Sequence, residues 1–492
     1  MKNSALRYRT STPETMMFGV CTLIVLSAVL MAARSAHAQS EIVLYSFCSQ
    51  PSCVDGEGPA SSLAPDGAGN FYGTTQLGGA NTYGTVFELS PNGVGGYNET
   101  VLYSFCSRPN CTDGNDPTSN VIFDDGGNLY GTACAGGANG QAVPSACGDG
   151  TNGYGVVFEM SPEPVGGCPG GSNSGNGWCE TVLYSFSSAP DGAFPFAGLT
   201  WDTNGNLYGT TYGGGGGMGA IYELSPNGSG SWIESVLYSF CAQLSCADGA
   251  RPDGQVQATN GTLYATTENG GAYAAGTVFG LSPQPVGGCP SGSYTGNGWC
   301  EAILHAFAGH PTDGNYPSGT PVLDSAGNLY GTTVYGGKGN CNSDLGCGTI
   351  WKMTPSDGEY TEEILSSFHS GPVIEGCCFS IRLPYNPWAG VVLDSAGNIY
   401  GMTEYGGSSS YCTEKGKGQK SGCGVLFELP GRLKKGEEKN ELLWIFSWAD
   451  GAHPVTSPIL DGGNLYGTTY NGGLGGFCPN PVGCGVAFEF IP

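Results

Sequence analysis

The heptapeptide GNLYGTT restricts the fold of this chain more than any other feature of the sequence. It occurs in full from Gly205, Gly327 and Gly463, and close variants begin at four other glycines: GNFYGTT at Gly69, GNLYGTA at Gly127, GTLYATT at Gly261 and GNIYGMT at Gly397. The tyrosines of these seven copies lie 56 to 78 residues apart. Recurrence at such a spacing is typical of repeat architectures, so the heptapeptide predicts a repeated structural unit.

Each copy lies within the same longer unit. A proline-led segment precedes the heptapeptide, and a Gly-Gly loop, a segment like GTVFEL, a polar loop and a segment like ETVLYSF follow it. Aromatic and β-branched residues on alternating faces favour strands over helices. The turn D-x-x-G-N before the heptapeptide, as at residues 202–206, is typical of a tight hairpin. Four strands in each repeat predict an all-β fold, a β-propeller of four-stranded antiparallel blades.

The order of the segments predicts how the propeller closes. Segments of the GTVFEL type and of the VLYSF type each occur seven times, but the chain begins with a VLYSF segment and ends with a GTVFEL segment. We therefore predict that residues 41–47 form the outer strand of the blade that ends at Pro492. An open solenoid would leave two unpaired sheet edges, so a closed ring of seven blades over residues 39–492 is favoured.

These motifs resemble a known family. The pattern N-[LFI]-Y-G-[TM]-T, followed by Gly-Gly and by G-[TV]-[VIL]-F-E-L, is similar to the GloVer tandem repeats of exported bacterial proteins. The resemblance covers nearly the whole chain after the first 38 residues. It implies an exported protein of β-repeats, and it leaves the function open.

The first 38 residues have the pattern of a secretory signal peptide. Basic residues precede an apolar run at 16–33, and Ala-His-Ala at 36–38 is a small-x-small cleavage signal. We predict cleavage after Ala38 and a secreted, periplasmic or cell-surface location. An uncleaved membrane anchor is the alternative, because the apolar run has 18 residues.

The charge of the remaining chain restricts its partners. Without the first 38 residues it carries 12 Lys and Arg against 40 Asp and Glu, a net charge of −28. A nucleic-acid partner is excluded, because phosphate binding requires the opposite charge. We expect no membrane contact beyond the signal peptide, and we expect a monomer.

The 20 cysteines after residue 38 predict a disulfide framework, since their number is even in an exported chain. Loop ends a few residues apart in a fixed hairpin meet easily, so we predict nine local bridges. The pairs are Cys48 with Cys53, Cys106 with Cys111, Cys134 with Cys147, Cys168 with Cys179, Cys241 with Cys246, Cys289 with Cys300, Cys341 with Cys347, Cys412 with Cys423, and Cys478 with Cys484. The adjacent Cys377 and Cys378 would form a vicinal bridge or remain thiols.

Motifs for catalysis or metal binding are not found in the sequence. The four histidines after residue 38, His305, His310, His369 and His453, have no two-His spacing suited to zinc. There is no G-x-S-x-G, no P-loop and no dinucleotide motif between a strand and a helix. We expect no catalytic residue, no metal and no cofactor. His305 replaces Tyr in a VLYSF segment, and packing is its expected role.

The loop-rich face of the propeller is the predicted binding surface. A DGxxP motif in the loop that leads into a blade occurs six times, and these leading loops share one face with the Gly-Gly loops. Exposed aromatic planes beside carboxylates suit sugar rings. The predicted ligand-binding residues are Trp448, Asp450, His453, Tyr470, Tyr212, Tyr335 and Tyr405. The alternative is that DGxxP is ordinary turn chemistry and that each Tyr packs beside its Gly-Gly loop.

Three classes of function stay open from the sequence. The first is a non-catalytic exported propeller that binds a glycan or a protein through the loop-rich face. The second is an extracellular enzyme that acts on polysaccharide or uses a bound quinone, and it rests on analogy between folds alone. The third is a structural surface protein without a ligand. A convergent pair of acids in a channel pocket would favour the second class, and a flat face would favour the third.

Overall fold

The described part of the computed structural model contains nine antiparallel sheets, of which seven correspond to the seven repeats; the other two, of two and three strands, belong to blades 3 and 6. The structure describes residues 39–140, 147, 152–165, 167–168, 171–173, 176–228, 230–290, 294–341, 345–356, 358–369, 374–376, 379–408, 412, 422–431, 440–478 and 483–492. The predicted signal peptide, and with it the predicted boundary at residue 38, lies outside these residues, as do Cys377 and Cys378. No helix in the described part of the chain is long and apolar enough to cross a membrane.

The first four blades are built from strands of two to eight residues. Blade 1 contains β2 (Glu57–Pro59), β3 (Ala64–Pro65), β4 (Phe71–Leu77), β5 (Thr85–Pro91) and β6 (Tyr97–Ser104). Blade 2 contains β7 (Ile122–Phe123), β8 (Leu129–Ala133), β9 (Val156–Pro162), β10 (Ser172–Asn173) and β11 (Trp178–Ser185). Blade 3 contains β12 (Gly192–Ala193), β13 (Thr200–Trp201), β14 (Leu207–Thr211), β15 (Gly213–Gly214), β16 (Ala220–Pro226) and β17 (Trp232–Ser239). Blade 4 contains β18 (Ala250–Pro252), β19 (Gln257–Thr259), β20 (Thr262–Asn269), β21 (Thr277–Pro283), β22 (Tyr294–Gly296) and β23 (Trp299–Ala306).

The remaining blades follow the same plan. Blade 5 contains β24 (Gly314–Leu323), β25 (Leu329–Gly336), β26 (Thr349–Ser356) and β27 (Glu359–Ser367). Blade 6 contains β28 (Ile374–Gly376), β29 (Phe379–Tyr385), β30 (Val392–Leu393), β31 (Ile399–Thr403), β32 (Tyr405–Ser408), β33 (Val425–Leu429) and β34 (Glu441–Ile445). Blade 7 contains β35 (Ile459–Asp461), β36 (Asn464–Thr469) and β37 (Val486–Ile491), together with β1 (Ser40–Ser46). Short 3-10 turns lie at Pro51–Cys53, Pro109–Cys111 and Leu244–Cys246.

The N-terminal strand closes the ring, as the order of segments predicted. The sheet of blade 7 has the order β1-β37-β36-β35, so β1 is its outermost strand. Beyond β1, the Phe47 N–H donates to the Gly485 carbonyl at 3.0 Å. The prediction of a seven-bladed propeller whose last blade is completed by the N-terminal strand is confirmed.

Main-chain hydrogen bonds also join each blade to the next at the loop-rich face. The donor is always the residue before the leading proline of a blade, and the acceptor is the residue before the Gly that precedes or begins the GTVFEL segment of the preceding blade. Donor to acceptor distances are 2.7 to 3.2 Å. The seven donors have a φ of 54° to 63°, in the left-handed region, and they are Gly58, Asp116, Phe194, Arg251, Tyr316, Asn386 and His453.

Edge-to-face or tilted aromatic pairs fill the core between blades. The Phe at the end of each VLYSF segment packs on the aromatic residue of the GTVFEL strand in the following blade, with ring centroids 5.0 to 6.1 Å apart. Such pairs add to the stabilisation from burial. The seven pairs are Phe47 with Phe87, Phe105 with Phe158, Phe186 with Tyr222, Phe240 with Phe279, Phe307 with Trp351, Phe368 with Phe427, and Phe446 with Phe488.

The heptapeptide itself is a structural part. Its central Gly leaves room for the aromatic residue of the neighbouring strand, since a Cβ on Gly73 would lie 2.7 Å from the Phe87 ring. The Thr after this Gly donates its hydroxyl to a carbonyl of the next blade, as Thr332 Oγ1 does to Ala389 at 2.7 Å. Blade 6 has Met402 at that position, where no such bond is made. The repetition of the heptapeptide is therefore explained by packing between strands and between blades.

Nine disulfides hold the loops, and each joins two cysteines that the sequence analysis paired. Seven of these bridges lie in the loops of the loop-rich face. The other two, Cys168 with Cys179 and Cys289 with Cys300, lie between the two outer strands of blades 2 and 4. Disulfides of this number indicate an oxidising environment.

Candidate functional site

A narrow polar channel runs along the centre of the ring. The three residues after the leading proline of each blade line it, and they enclose about 220 Å³. Most are Ser, Thr, Asn, Gln or small residues, and among the described lining residues Asp253 is the one charged side chain. The volume is below the roughly 300 Å³ of a small ligand pocket, so the channel holds part of a small molecule at most.

Two positions of the repeat surround the mouth of the channel on the loop-rich face. One is the left-handed residue before the leading proline, and the other is the residue directly after the heptapeptide. The backbone joins them, because the carbonyl of the first accepts the N–H of the second, as Phe194 does from Tyr212 at 3.0 Å. Across blades 3 to 6 these two positions, with the first residue after the proline, carry a cluster that we call the mouth cluster: Tyr212, Arg251, Asp253, Glu268, Tyr316, Trp388 and Glu404.

Glu268 is the central group of the mouth cluster. Its side chain is 4% exposed, and its Oε2 has no hydrogen-bond partner. Burial, with a further contribution from Asp253, raises the pKa of Glu268 to about 8, although the hydroxyls of Tyr316 and Tyr212 oppose the shift. At neutral pH the group is therefore a protonated acid that can donate a hydrogen bond.

Aromatic side chains stand on both sides of Glu268. On one side the Arg251 guanidinium lies 5.1 Å from the centre of the Tyr212 ring and donates to its hydroxyl at 3.1 Å. On the other side the Tyr316 ring lies 5.9 Å from that of Trp388. Trp388 in turn donates from Nε1 to Glu404 Oε2 at 2.5 Å. The result is a half-buried surface of aromatic planes with donors and acceptors between them.

Asp253 lies at the top of the channel below Glu268. Burial raises its pKa, and the Ser318 hydroxyl, 3.1 Å from its Oδ2, opposes the shift. The same hydroxyl lies 2.7 Å from the Trp388 carbonyl, so Ser318 has two acceptors for one proton. The charge of Asp253 contributes to the raised pKa of Glu268, so the two acids are neighbours at the mouth of the channel.

The residues predicted as ligand-binding lie around the same face, but in separate places. Tyr212 belongs to the mouth cluster, and Tyr335 packs 5.8 Å from Tyr316. Tyr405 lies 5.3 Å from His453, and the His453 Nδ1 contacts Asn471 Oδ1 at 3.1 Å.

The other three predicted residues have structural contacts. Trp448 packs against the hydrophobic cluster that contains the Cys412 to Cys423 bridge. Asp450 accepts from Trp444 Nε1 and from the Ser447 N–H. Tyr470 donates to Gln76 Oε1 at 2.8 Å.

The Asp of the DGxxP motif acts mainly as a cap for the leading loop. Asp113 is typical, because it accepts from the Tyr103 hydroxyl at 2.7 Å and from the Ser107 and Arg108 N–H groups. Its counterparts make equivalent bonds. This observation supports the turn interpretation of the motif.

Beside each of these Asp side chains lies a Glu of the next outer strand, and this Glu is buried in blades 2 and 4 and half-buried in the others. Six Glu residues occupy this position, each with a neighbouring Asp that helps to raise its pKa: Glu41 with Asp450, Glu99 with Asp55, Glu180 with Asp113, Glu234 with Asp191, Glu301 with Asp248, and Glu362 with Asp313. Burial is the larger cause in all six, and the raised pKa values are about 7 to 9. Blade 6 has Asn440 instead, and its leading loop has no DGxxP.

A second concavity lies on the opposite face, between blades 3 and 4. It has a volume of about 830 Å³, and Trp201 and Trp299 contribute to its wall. Both acids in its wall have hydrogen-bond partners. Asp202 accepts from the N–H groups of Asn204 and Asn206 in the hairpin turn, and Glu223 accepts from the Ser225 hydroxyl at 3.0 Å. The groove is larger than the channel, but the unpartnered carboxyl oxygen of Glu268 lies at the mouth cluster.

Comparison with known proteins identifies the repeat and no activity. The Gloeobacter/Verrucomicrobia repeat matches residues 145–340 and 233–413, which together span more than half of the 492-residue chain. No curated protein matches the sequence.

Three solved structures are similar in part. A proposed 6-phosphogluconolactonase from Bacteroides fragilis NCTC 9343 is 14% identical, with 85% of this chain and 89% of that chain covered and a TM-score of 0.41. A second from Bacteroides uniformis ATCC 8492 is 11% identical, with 82% and 88% covered and a TM-score of 0.41. A gluconolactonase from Xanthomonas campestris is 10% identical, with 77% and 89% covered and a TM-score of 0.36. At these scores the similarity supports no conclusion about activity.

Proposed function

The chain belongs to the Gloeobacter/Verrucomicrobia repeat family, and we propose that this member is an exported, non-catalytic propeller that binds a carbohydrate at the mouth of its central channel. The observation that carries the proposal is the mouth cluster, in which aromatic planes surround a buried carboxyl group whose Oε2 has no partner. A buried polar atom without a partner is costly, and a ligand hydroxyl would satisfy it.

The chemistry of the mouth cluster suits a neutral sugar. Tyr212, Tyr316 and Trp388 offer apolar planes for the faces of a pyranose ring. Protonated Glu268 donates, and Glu404 and Asp253 accept, which matches the mixed donors and acceptors of sugar hydroxyls. The net charge of −28 after residue 38 disfavours an anionic ligand. Because the channel is narrow, we expect the ring to rest on the mouth and to send one substituent towards Asp253.

A glycan array with the chain that begins at Gln39 would find the ligand, and titration calorimetry would then measure its affinity. Replacement of Tyr212 or Trp388 by Ala should weaken binding by at least about tenfold, since each removes a stacking plane. Tyr273→Ala is the matched control, because Tyr273 is 66% exposed in the Gly-Gly loop of blade 4 and lies outside the mouth cluster. Equal affinities of the wild type and both mouth variants would refute the proposal. Loss of binding in Trp299→Ala alone would assign the ligand to the groove between blades 3 and 4.

The pH dependence of binding gives a sharper test. The pKa of Glu268 is about 8, so affinity should fall between pH 7 and pH 9 as the acid loses its proton and can no longer donate. Glu268→Gln keeps a neutral donor at every pH, and its affinity should be nearly constant over the same range. A variant that keeps the pH dependence of the wild type would show that Glu268 is not a ligand donor.

The two neighbouring acids favour one second candidate, a hydrolase for the bound carbohydrate. Glu268 is protonated at neutral pH, as a general acid must be, and Asp253 is its neighbour. General acid catalysis contributes roughly 10²- to 10⁴-fold, so Glu268→Gln would remove most of any turnover. Release of reducing ends from the glycan found on the array would support this candidate, and an unchanged glycan after long incubation would leave the binding function.

Export and the monomeric state belong to the same proposal. Residues 1–38 should be absent from the exported protein, and the intact mass should begin at Gln39. Size-exclusion chromatography with light scattering should give a monomer, and the purified chain should bind neither DNA nor lipid vesicles. An exported chain that keeps residues 1–38 would instead support the membrane anchor.

A further inference from the structure

Each pair of a DGxxP Asp and its Glu has a further side chain beside the Asp, and in one pair this side chain differs in kind from the others. In four blades the side chain that faces the DGxxP Asp is a Tyr, and each of these hydroxyls donates to its Asp: Tyr45, Tyr103, Tyr184 and Tyr238. In blade 7 the equivalent partner of Asp450 is the Trp444 Nε1. At the boundary of blades 4 and 5 the position is occupied by His305, whose Nε2 lies 3.0 Å from Asp313 Oδ2.

This exchange changes the chemistry of the position. A neutral Tyr hydroxyl or an indole N–H donates a hydrogen bond, and neither group is a common metal ligand. Imidazole has a lone pair and is the commonest metal ligand among side chains. The pair of Asp313 and Glu362 therefore gains a nitrogen ligand that the five equivalent pairs do not have.

The three side chains converge on one point. The Nε2 of His305 and carboxylate oxygens of Asp313 and Glu362 all lie within 4.8 Å of one another. Glu362 Oε1 is buried and has no hydrogen-bond partner. His305 contacts Asp313 and does not serve as a partner for Glu362 Oε1. A positive ion between the three side chains would give this oxygen a partner.

We propose that His305, Asp313 and Glu362 bind a divalent transition-metal ion, with Zn²⁺ the best match. Zinc takes one imidazole and two carboxylates readily, at roughly 2.0 to 2.2 Å. Ligand atoms in a tetrahedral site are then about 3.4 Å apart, whereas the three atoms here lie within 4.8 Å of one another, so a bound metal ion would draw Glu362 towards the other two side chains. Calcium is disfavoured, because it requires about six to eight oxygen ligands.

The site is accessible from solvent and leaves room for a fourth ligand. The side chains of His305 and Asp313 are 23% and 12% exposed, so a metal ion can reach them without unfolding of the blade. Main-chain N–H groups of Ala308 and Gly314 hold the Asp313 carboxylate, and such second contacts orient a metal ligand. With three protein ligands, a water molecule would occupy the remaining position.

The test compares zinc binding by the full chain from Gln39 with that of His305→Tyr. This change restores the residue that four other boundaries contain, so the fold should be kept and the melting temperature without metal should stay within about 3 °C of the wild type. After free thiols are blocked with iodoacetamide, titration calorimetry at pH 7.5 should show one Zn²⁺ per wild-type chain. We expect His305→Tyr to lose this event, and we expect zinc binding by the wild type to weaken at pH 5, because protons compete with the metal ion for its ligands. A wild type without zinc binding, or a variant that binds as much zinc, would overturn the proposal.

Two further variants distinguish the loss of a zinc ligand from an effect on folding. Glu362→Gln should weaken zinc binding by at least about tenfold while His305 and Asp313 remain. Tyr238→His places imidazole beside Asp248 and Glu301, and should add a second zinc ion per chain. Failure of this variant to gain a site, with an unchanged melting temperature, would contradict the proposed ligand set.

Discussion

Replacement of Glu301 by Gln should stabilise the propeller at alkaline pH and leave it nearly unchanged at acidic pH. Glu301 is 0% exposed, and neither of its carboxyl oxygens has a hydrogen-bond partner. Burial and the charge of Asp248 raise its pKa from 4.5 to about 9. Gln has nearly the same shape and no charge, and blade 6 already has an amide, Asn440, at the equivalent position.

The sign and size of the effect follow from the two pKa values. Above pH 4.5 the unfolded chain releases the proton of Glu301 while the folded chain keeps it, so each further pH unit favours unfolding until about pH 9. One pH unit corresponds to about 1.36 kcal/mol, and the interval from pH 5 to pH 8 therefore corresponds to about 4 kcal/mol. Local relaxation and water entry reduce this limit, and we expect Glu301→Gln to be more stable than the wild type by at least about 2 kcal/mol at pH 8. At pH 5 the two proteins should differ by less than about 1 kcal/mol.

Urea denaturation followed by tryptophan fluorescence at pH 5, 6.5 and 8 would measure these differences. The five other Glu residues at this position titrate in both proteins, so the change in unfolding free energy between variant and wild type is the informative quantity. Glu359→Gln is the matched control, because Glu359 is exposed on an outer strand and the change removes one carboxyl group without altering the interior. A variant less stable than the wild type at pH 8 would show that Glu301 is charged and paired in the folded protein, and would refute the reasoning.

Three further predictions concern the architecture. Deletion of residues 39–47 should lower the melting temperature by at least about 5 °C, because it removes β1 from blade 7 and buried Phe47 from the core; an unchanged melting temperature would contradict closure of the ring. Gly331→Ala should cost about 2 kcal/mol in urea denaturation, because the added Cβ would overlap the Trp351 ring, and a neutral effect would show that the indole can move away. Thr332→Val should cost about 1 to 2 kcal/mol, because it leaves the buried Ala389 carbonyl without this donor, whereas Met402→Leu in blade 6 loses no hydrogen bond and should cost less.

The architecture could be predicted from the sequence because its strands and turns recur in several copies of the repeat. The turn before the heptapeptide, the strand order and the displaced VLYSF segment each follow from local patterns that seven copies repeat. The disulfides follow for the same reason, since each pair is close in sequence. A single blade would have given an ambiguous set of short strands, and repetition removed that ambiguity.

The mouth cluster could not be predicted in the same way, because its members differ from blade to blade. Tyr212 and Tyr470 come directly after the last Thr of their heptapeptides, whereas Tyr335 and Tyr405 come one residue later. A shift of one residue in a strand reverses the side to which a side chain points, so these four do not form one surface. Glu268 was not predicted as a ligand-binding residue, because its side chain is not aromatic although its position in the repeat is equivalent to that of Tyr212.

One further pattern in the sequence relates the DGxxP Asp to the Glu beside it. Six outer strands have Glu four residues before the Tyr or its replacement, and the strand without this Glu, at Asn440, belongs to the one blade whose leading loop lacks DGxxP. The joint absence of the two acids indicates that they face each other between blades. Their burial, and the raised pKa values that result, depend on packing distances that only the structure contains.

The seven left-handed residues before the leading prolines have a practical consequence for engineering. Each is held by its main-chain N–H, so its side chain contributes nothing to the bond that joins the blades. Seven different amino acids occupy these positions: Gly58, Asp116, Phe194, Arg251, Tyr316, Asn386 and His453. Gly58, Asp116 and Asn386 are buried, whereas the other four are partly exposed, so the ring offers four positions for new side chains at the mouth of the channel. A library that varied only these four positions would change the chemistry of the mouth on a constant scaffold, and β-branched residues would be the poorest choices, because they tolerate positive φ least.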